Sequence, residues 1–180
     1  MTAGDTSRSQ RLFFALWPPP DAARRIAELG AALDAQGAPV ARDKLHLTLA
    51  FHGNCDAAGR EALIARAERV SAAPIDLVFD RLDGFSKPRL IWLGLSDPPQ
   101  ALFDLAAFLR GPGLDRRRFV PHITLQRKAA PIAARSVAPI AWRAREFVLA
   151  ESGAHGVAGA YRILARWPLA GEAGPLANVK

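Results

Sequence analysis

The chain has a single cysteine, Cys55, among 180 residues, which excludes an intramolecular disulfide and a zinc-thiolate cluster. Long apolar runs are missing too. The longest spans 12–17 and is stopped by Pro18-Pro19-Pro20, far short of the roughly 20 apolar residues a membrane span needs. Arg11 ahead of that run imitates a signal peptide, but the prolines and the lack of a small-residue cleavage pattern argue against export. The expectation is a soluble, cytoplasmic protein without membrane contact. Acidic residues are outnumbered: 24 Lys and Arg against 17 Asp and Glu leave a formal charge of +7. That surplus favours phosphate-bearing partners, although the codon usage of a GC-rich genome accounts for an Arg-rich chain equally well. Apolar material is ample, at 50% of residues with 23% charged, which excludes a disordered or collagen-like chain. The length suits one domain or a tight pair of small lobes.

Residues 1–10 are small and polar and read as a loose tail; a single bilobal domain is expected over 11–170, with 171–180 as a second tail. An aromatic-rich strand over 12–17 is followed by a proline-started helix over 22–35, with Ile26, Leu29 and Leu33 at helical spacing. A basic turn at Arg42-Asp43-Lys44 leads to a strand over 45–51, a helix over 56–72 and a strand over 75–80. The order then restarts: a strand over 89–95, Pro98-Pro99, a helix over 100–110, the basic Arg116-Arg117-Arg118, and a strand over 119–126. Strands over 141–150 and 160–169, separated by a glycine-rich turn, complete the chain. Arg11 to Arg89 is 78 positions and His46 to His122 is 76, so the two copies hold nearly one register, the mark of a duplicated pseudo-symmetric pair. The class is α+β: two pseudo-symmetric lobes, each a mostly antiparallel sheet with helices on its outer face, flanking a central cleft.

The equivalent strands carry His46-Leu47-Thr48-Leu49 and His122-Ile123-Thr124-Leu125. With four His and four Thr in the chain, about 0.1 chance His-x-Thr pair is expected, and two occur in corresponding places. Strand alternation turns His46 and Thr48 to one face and Leu47 and Leu49 to the other, and does the same for His122 and Thr124. A pseudo-two-fold axis would then bring two imidazoles and two hydroxyls to one spot. In-line displacement at phosphorus suits that set: one imidazole takes a proton from the attacking oxygen while its opposite number gives one to the leaving oxygen. The Thr48 and Thr124 hydroxyls can donate to the non-bridging oxygens, and the scheme requires neither metal nor other cofactor.

The paired His-x-Thr-x motifs, Arg-Leu-Phe-Phe-Ala-Leu from Arg11, Lys-Leu-His-Leu-Thr-Leu-Ala-Phe from Lys44, Pro-His-Ile-Thr-Leu-Gln-Arg from Pro121, and the stretch from Glu151-Ser152 through Tyr161 to Trp167-Pro168-Leu169 resemble the RNA 2′,3′-cyclic phosphodiesterases. These are also called 2′-5′ RNA ligases and belong to the 2H phosphoesterase superfamily. The resemblance covers about residues 11–170 and implies a two-lobed fold with a central cleft and metal-free hydrolysis of RNA 2′,3′-cyclic phosphate ends to 2′-phosphates. Run backwards, the same site would weakly form 2′-5′ linkages. The resemblance also implies His46 as donor to the departing 3′ oxygen and His122 as the base that activates water; the residues alone do not order the two. RNA or oligonucleotide ends, tRNA fragments and cyclic nucleotides are the implied partners, and nothing demands more than a monomer.

Arg127 matches an arginine of the family's second motif and would bind phosphate. Five positions beyond His122, however, it faces away in an unbroken strand, so the strand must end or bulge near Gln126. Its counterpart Phe51 either lines a nucleoside pocket by stacking or belongs to the core. Arg42, Lys44, Lys87, Arg89 and Arg116 to Arg118 are candidates to steer an RNA backbone. Cys55 and His52 lack an acidic third partner and receive no catalytic role, and His155 falls in a turn. Two other readings compete: a non-catalytic RNA-end binding protein, and a zinc site shared by His46 and His122, which lacks further ligands.

Overall fold

The computed structural model describes residues 9–112, 119–153 and 160–172; Arg116 to Arg118 and His155 lie outside them. The chain opens with β1 (Gln10–Leu16), one residue ahead of the expected domain start. This strand is buried on both faces: Leu12, Phe14 and Leu16 join the main core, while Phe13 and Ala15 join a second cluster with Val148 and Ala150. Pro18 to Pro20 end it and begin α1 (Pro20–Ala31), with Pro19 at the N-cap, where a missing N–H costs nothing. The helix is shorter than expected. Its Gly30 carbonyl and the Leu33 carbonyl beyond it accept from Gln126 Nε2 at 2.9 and 3.0 Å, and the chain then turns to pair β2 (Ala38–Pro39) with Gln126 and Arg127.

A 3₁₀ turn over Arg42–Lys44 precedes β3 (Leu47–Cys55), and α2 (Ala57–Ala67) follows, capped by Asp56 accepting from the Gly59 N–H at 2.8 Å. α2 also stops earlier than expected. Its described buried residues are Leu63 and Ala67, and beyond them the chain must descend to β4 (Ile75–Phe85) past Pro74. Then come β5 (Leu90–Gly94), α3 (Gln100–Arg110), β6 (His122–Arg127), β7 (Arg135–Ala144), β8 (Glu146–Ser152) and β9 (Tyr161–Pro168). The single strand expected over 141–150 is therefore two. Ile140, Trp142 and Ala144 alternate with exposed residues, as on a half-covered edge, whereas Phe147 to Ala150 are buried without interruption. The chain crosses the molecule at Arg145, between these patterns.

All the pairings are antiparallel, in the order β7-β4-β5-β6-β3-β1-β8-β9, with β2 beside β6. This order is a palindrome about the β6/β3 seam: each His-bearing strand is flanked by the opening strand of its own repeat, β5 or β1. At the seam β3 pairs with β6 through Leu47 and Ile123, and β2 adds Ala38 and Pro39 opposite Arg127 and Gln126. The helices tie them further by exchange, since α3 packs on β3 while α1 packs on β6 and β7. α1 and α3 thus each cover the half to which their own repeat does not belong, while α2 packs on β3 of its own repeat and on α3. The helix side is sealed by Leu47, Leu49, Ile123 and Leu125, all buried, leaving the opposite face of the seam to His46, Thr48, His122 and Thr124, all partly buried.

Candidate active site

The seam sets the geometry. Pairing Leu47 with Ile123 places His46 across from Thr124 and Thr48 across from His122, so the histidines occupy one diagonal and the threonines the other. Diagonal neighbours in an antiparallel ladder lie about 7–8 Å apart, which leaves room for one phosphate between the rings.

Each imidazole is held alike. His46 Nδ1 lies 2.8 Å from the Lys44 carbonyl and His122 Nδ1 lies 2.8 Å from the Val120 carbonyl. A carbonyl only accepts, so Nδ1–H is the donor in both, and Nε2 is left to exchange protons with a ligand. Burial pushes the His46 pKa down to about 4, aided by the charges of Arg127 and His122 and opposed by the Lys44 hydrogen bond. His122 is lowered in the same way, by burial and then Arg127, against the Val120 bond. Arg127 thus reaches both rings electrostatically.

That reach depends on a bulge. Along β5 and β6, Trp92 pairs with Thr124 but Ile91 pairs with Gln126, so Leu125 is an extra residue. Leu125 and Gln126 are consecutively buried and Arg127 emerges on the histidine face. The break expected near Gln126 is this bulge. β3 has the same irregularity: Thr48 pairs with Ala15 and Ala50 with Phe14, leaving Leu49 over. Phe51 therefore also returns to the histidine face, where it is 47% exposed and is not a core residue.

A cavity of ≈ 550 Å³ opens beside His46 and Thr48, with Phe51, Arg127, Phe13, Arg11, Ser152 and Tyr161 as the rest of its wall. His122 and Thr124 lie across the seam, outside that wall. Three aromatic rings enclose His46: Trp17 stacks at 4.9 Å, Phe13 is tilted at 5.1 Å and Tyr161 stands edge-on at 5.0 Å. Phe85 and Trp92 flank His122 at 5.3 and 5.8 Å.

Arg11, Trp17 and Tyr161 escaped the sequence reading as site residues. Arg11 shares the parity of Phe13 and its guanidinium lies 4.9 Å over the Phe51 ring; that parity was available, but the repeat alignment obscured it. Matching Arg11 with Arg89 gives an offset of 78, whereas the sheet matches Leu16 with Leu93 through their partners Leu47 and Ile123, an offset of 77. One residue reverses the facing. Arg89 accordingly turns from the histidine face and donates to the Ala129 and Lys128 carbonyls at 3.2 and 3.4 Å. His52 sits at a second bulge of β3, edge-on to Phe14, and the Cys55 thiol is pushed up by burial and Asp56. Neither lines the cavity. Among the described residues no three His, Cys, Asp or Glu side chains gather as metal ligands, and no helix is long and apolar enough to cross a membrane.

The model of the 2′-5′ RNA ligase superfamily matches residues 18–154. The RNA 2′,3′-cyclic phosphodiesterase of Escherichia coli (strain K12) is 38% identical over 132 residues, 69% of this chain and 75% of that one. The crystal structure of E. coli LigT in apo form superposes with a TM-score of 0.81 at 35% identity, covering 91% of this chain and 99% of that one. LigT complexed with 3′-AMP gives 0.80 at 34% identity, with 90% and 99% covered.

Proposed function

This chain belongs to the 2′-5′ RNA ligase superfamily, and from that premise we propose that it hydrolyses RNA 2′,3′-cyclic phosphate ends to 2′-phosphates by acid–base catalysis between His46 and His122. The observation that carries the reading is the diagonal of two imidazoles across the β6/β3 seam, each with Nδ1–H tied to a carbonyl and Nε2 left for proton transfer. The Thr48 and Thr124 hydroxyls donate to the non-bridging oxygens, and Arg127 stabilises the charge that grows on them.

The position of the cavity supports one order for the two histidines. In-line attack brings water in opposite the leaving oxygen, and the leaving 3′ oxygen stays on the nucleoside. A nucleoside seated in the cavity beside His46 therefore directs that oxygen toward His46 and admits water from the His122 side. His122 Nε2 takes a proton from water as its oxygen bonds to phosphorus; the bond to the 3′ oxygen breaks and His46 Nε2–H supplies that oxygen's proton. Phe51 offers its exposed face to the base, in keeping with nucleotide binding by the 3′-AMP-complexed relative. A 5′-hydroxyl that attacks phosphorus in place of water, by the same sequence and not by its reverse, would be joined to the cyclic end through a 2′-5′ linkage as the 3′ oxygen leaves.

The test is product analysis with EDTA present, over a panel of 2′,3′- and 3′,5′-cyclic nucleotides and RNA ends. The expected result is a 2′-phosphate product from the 2′,3′-cyclic substrates, with His46→Ala and His122→Ala each slower by about 10²–10⁴-fold. Rates equal to wild type in those variants would sink the reading. Salt-sensitive RNA binding without turnover would replace it with a non-catalytic RNA-end binding protein.

A further inference from the structure

The indole of Trp17 makes two contacts that converge on one imidazole. Its ring stacks on His46 at 4.9 Å with an interplanar angle of 20°. Its Nε1–H donates at 3.2 Å to the Asp43 carbonyl, in the 3₁₀ turn whose next carbonyl, that of Lys44, accepts from His46 Nδ1–H. Trp17, the turn and His46 thus form a closed loop of contacts. Trp17 is only partly buried and its neighbour Pro18 pins the backbone, so this is not a generic core tryptophan.

The other half of the molecule supplies an internal comparison. The register that matches Leu16 with Leu93 puts Gly94 where Trp17 stands and Trp92 where Ala15 stands. Large and small residues have changed places. The Trp92 indole folds across Gly94, whose absent Cβ would lie 2.5 Å from the ring, and reaches His122 at 5.8 Å and 53°. Its Nε1 is buried without a partner among the described residues. Both imidazoles have an indole beside them, but only the Trp17 indole also braces the turn that orients its histidine.

We propose that Trp17 is a positioning residue that acts on the reacting phosphate only through His46, gripping the imidazole by its face and by the turn that holds its Nδ1–H. The proposal rests on His46 as an acid–base group. By enclosing the ring together with Phe13 and Tyr161, Trp17 also contributes to the burial that disfavours the imidazolium. Charged and titratable groups facing the same ring are Arg127 and His122 from β6, Tyr161 from β9 and Arg11 from β1.

The experiment compares Trp17→Phe and Trp17→Ala with wild type in kcat, KM, pH profile and the ¹⁵N side-chain spectra of the histidines. In Trp17→Ala, kcat is expected to fall by about 10–100-fold, as for a misplaced reacting group, with KM little changed. The His46 titration should move to higher pH, and its Nδ1–H tautomer should give way to a mixture, while His122 keeps its signals. Trp17→Phe retains a stacking face and should restore the His46 titration, with a smaller loss of kcat from the missing Asp43 bond. The proposal fails if a folded Trp17→Ala keeps the wild-type kcat and His46 spectrum, or if both histidines shift together with KM, as in general loosening. Should Trp17→Ala not fold, Trp17→Phe decides alone: a loss of kcat with a disturbed His46 tautomer supports the brace, and wild-type behaviour in both overturns it. Should the wild type hydrolyse no cyclic phosphate, the proposed function fails, while the His46 spectra still report on the brace.

Discussion

Arg127 has two effects that oppose one another. As a cation at the cavity wall it is proposed to bind phosphate, and as a cation near both imidazoles it helps lower their pKa values. In the proposed mechanism the active form has one imidazole protonated and the other neutral, so kcat/KM is expected to follow a bell whose limbs belong to the free enzyme. With His46 near 4 and His122 also below the ordinary 6.5, the maximum is expected on the acid side of 6.5. The bell of kcat should lie at higher pH, because a bound phosphate favours both imidazolium forms. Arg127→Gln removes the cation, so both pKa values rise and the kcat/KM bell shifts toward alkaline pH even as KM increases. A pH–rate series on this variant checks both effects; an unmoved bell would place Arg127 outside the reach of the histidines.

Among the elements, Gly94 has a specific steric task. Its Cβ space is filled by the Trp92 ring, so Gly94→Ala must swing the indole from its place beside His122. The expected cost is about 1–3 kcal/mol of stability, as for overpacking, together with lower kcat; denaturant melts and steady-state rates measure the two. The duplicated histidine strands were legible in the sequence because His-x-Thr with apolar neighbours shows alternation directly, and α3 (Gln100–Arg110) matched its expected bounds. The division of β7 from β8 was also written there, in the change from alternating Ile140, Trp142 and Ala144 to continuous Phe147 to Ala150, but no turn residue marks Arg145. The bulges at Leu49 and Leu125 have no glycine or proline signal. They arise from tertiary pairing, and they decide whether Phe51 and Arg127 face the site. Trp17 and Tyr161 stayed hidden because their service to His46 depends on strands that meet only after folding.

For the whole molecule, acid is the expected weakness. Three histidines have lowered pKa values in the fold: His46 and His52 near 4, and His122 below its ordinary value. Burial is the main cause in each, joined at His52 by Arg66 and opposed there by the Leu109 carbonyl. The unfolded chain binds more protons than the folded one between about 4 and 6.5, so stability is complete above 6.5 and drains away as pH falls through that window. His46 alone contributes on the order of 3 kcal/mol across it. Thermal melts from pH 7.5 to 4 should show a falling midpoint, and His52→Phe, which removes a titrating group remote from the cavity, should flatten the fall without affecting turnover at neutral pH. An unchanged slope would assign the acid sensitivity to other groups.

The exchange of helices across the seam means that neither repeat can be whole by itself. A fragment ending before β4 would carry α1 without the β6 surface it shields, and would leave β3 stripped of α3; the complementary fragment would be bare in the mirror-image places. Two copies of either repeat, laid head to head, would supply each other's missing cover. The duplicated chain is in that sense a dimer written on one thread, and the proposed phosphate site occupies the line where the twins would have met.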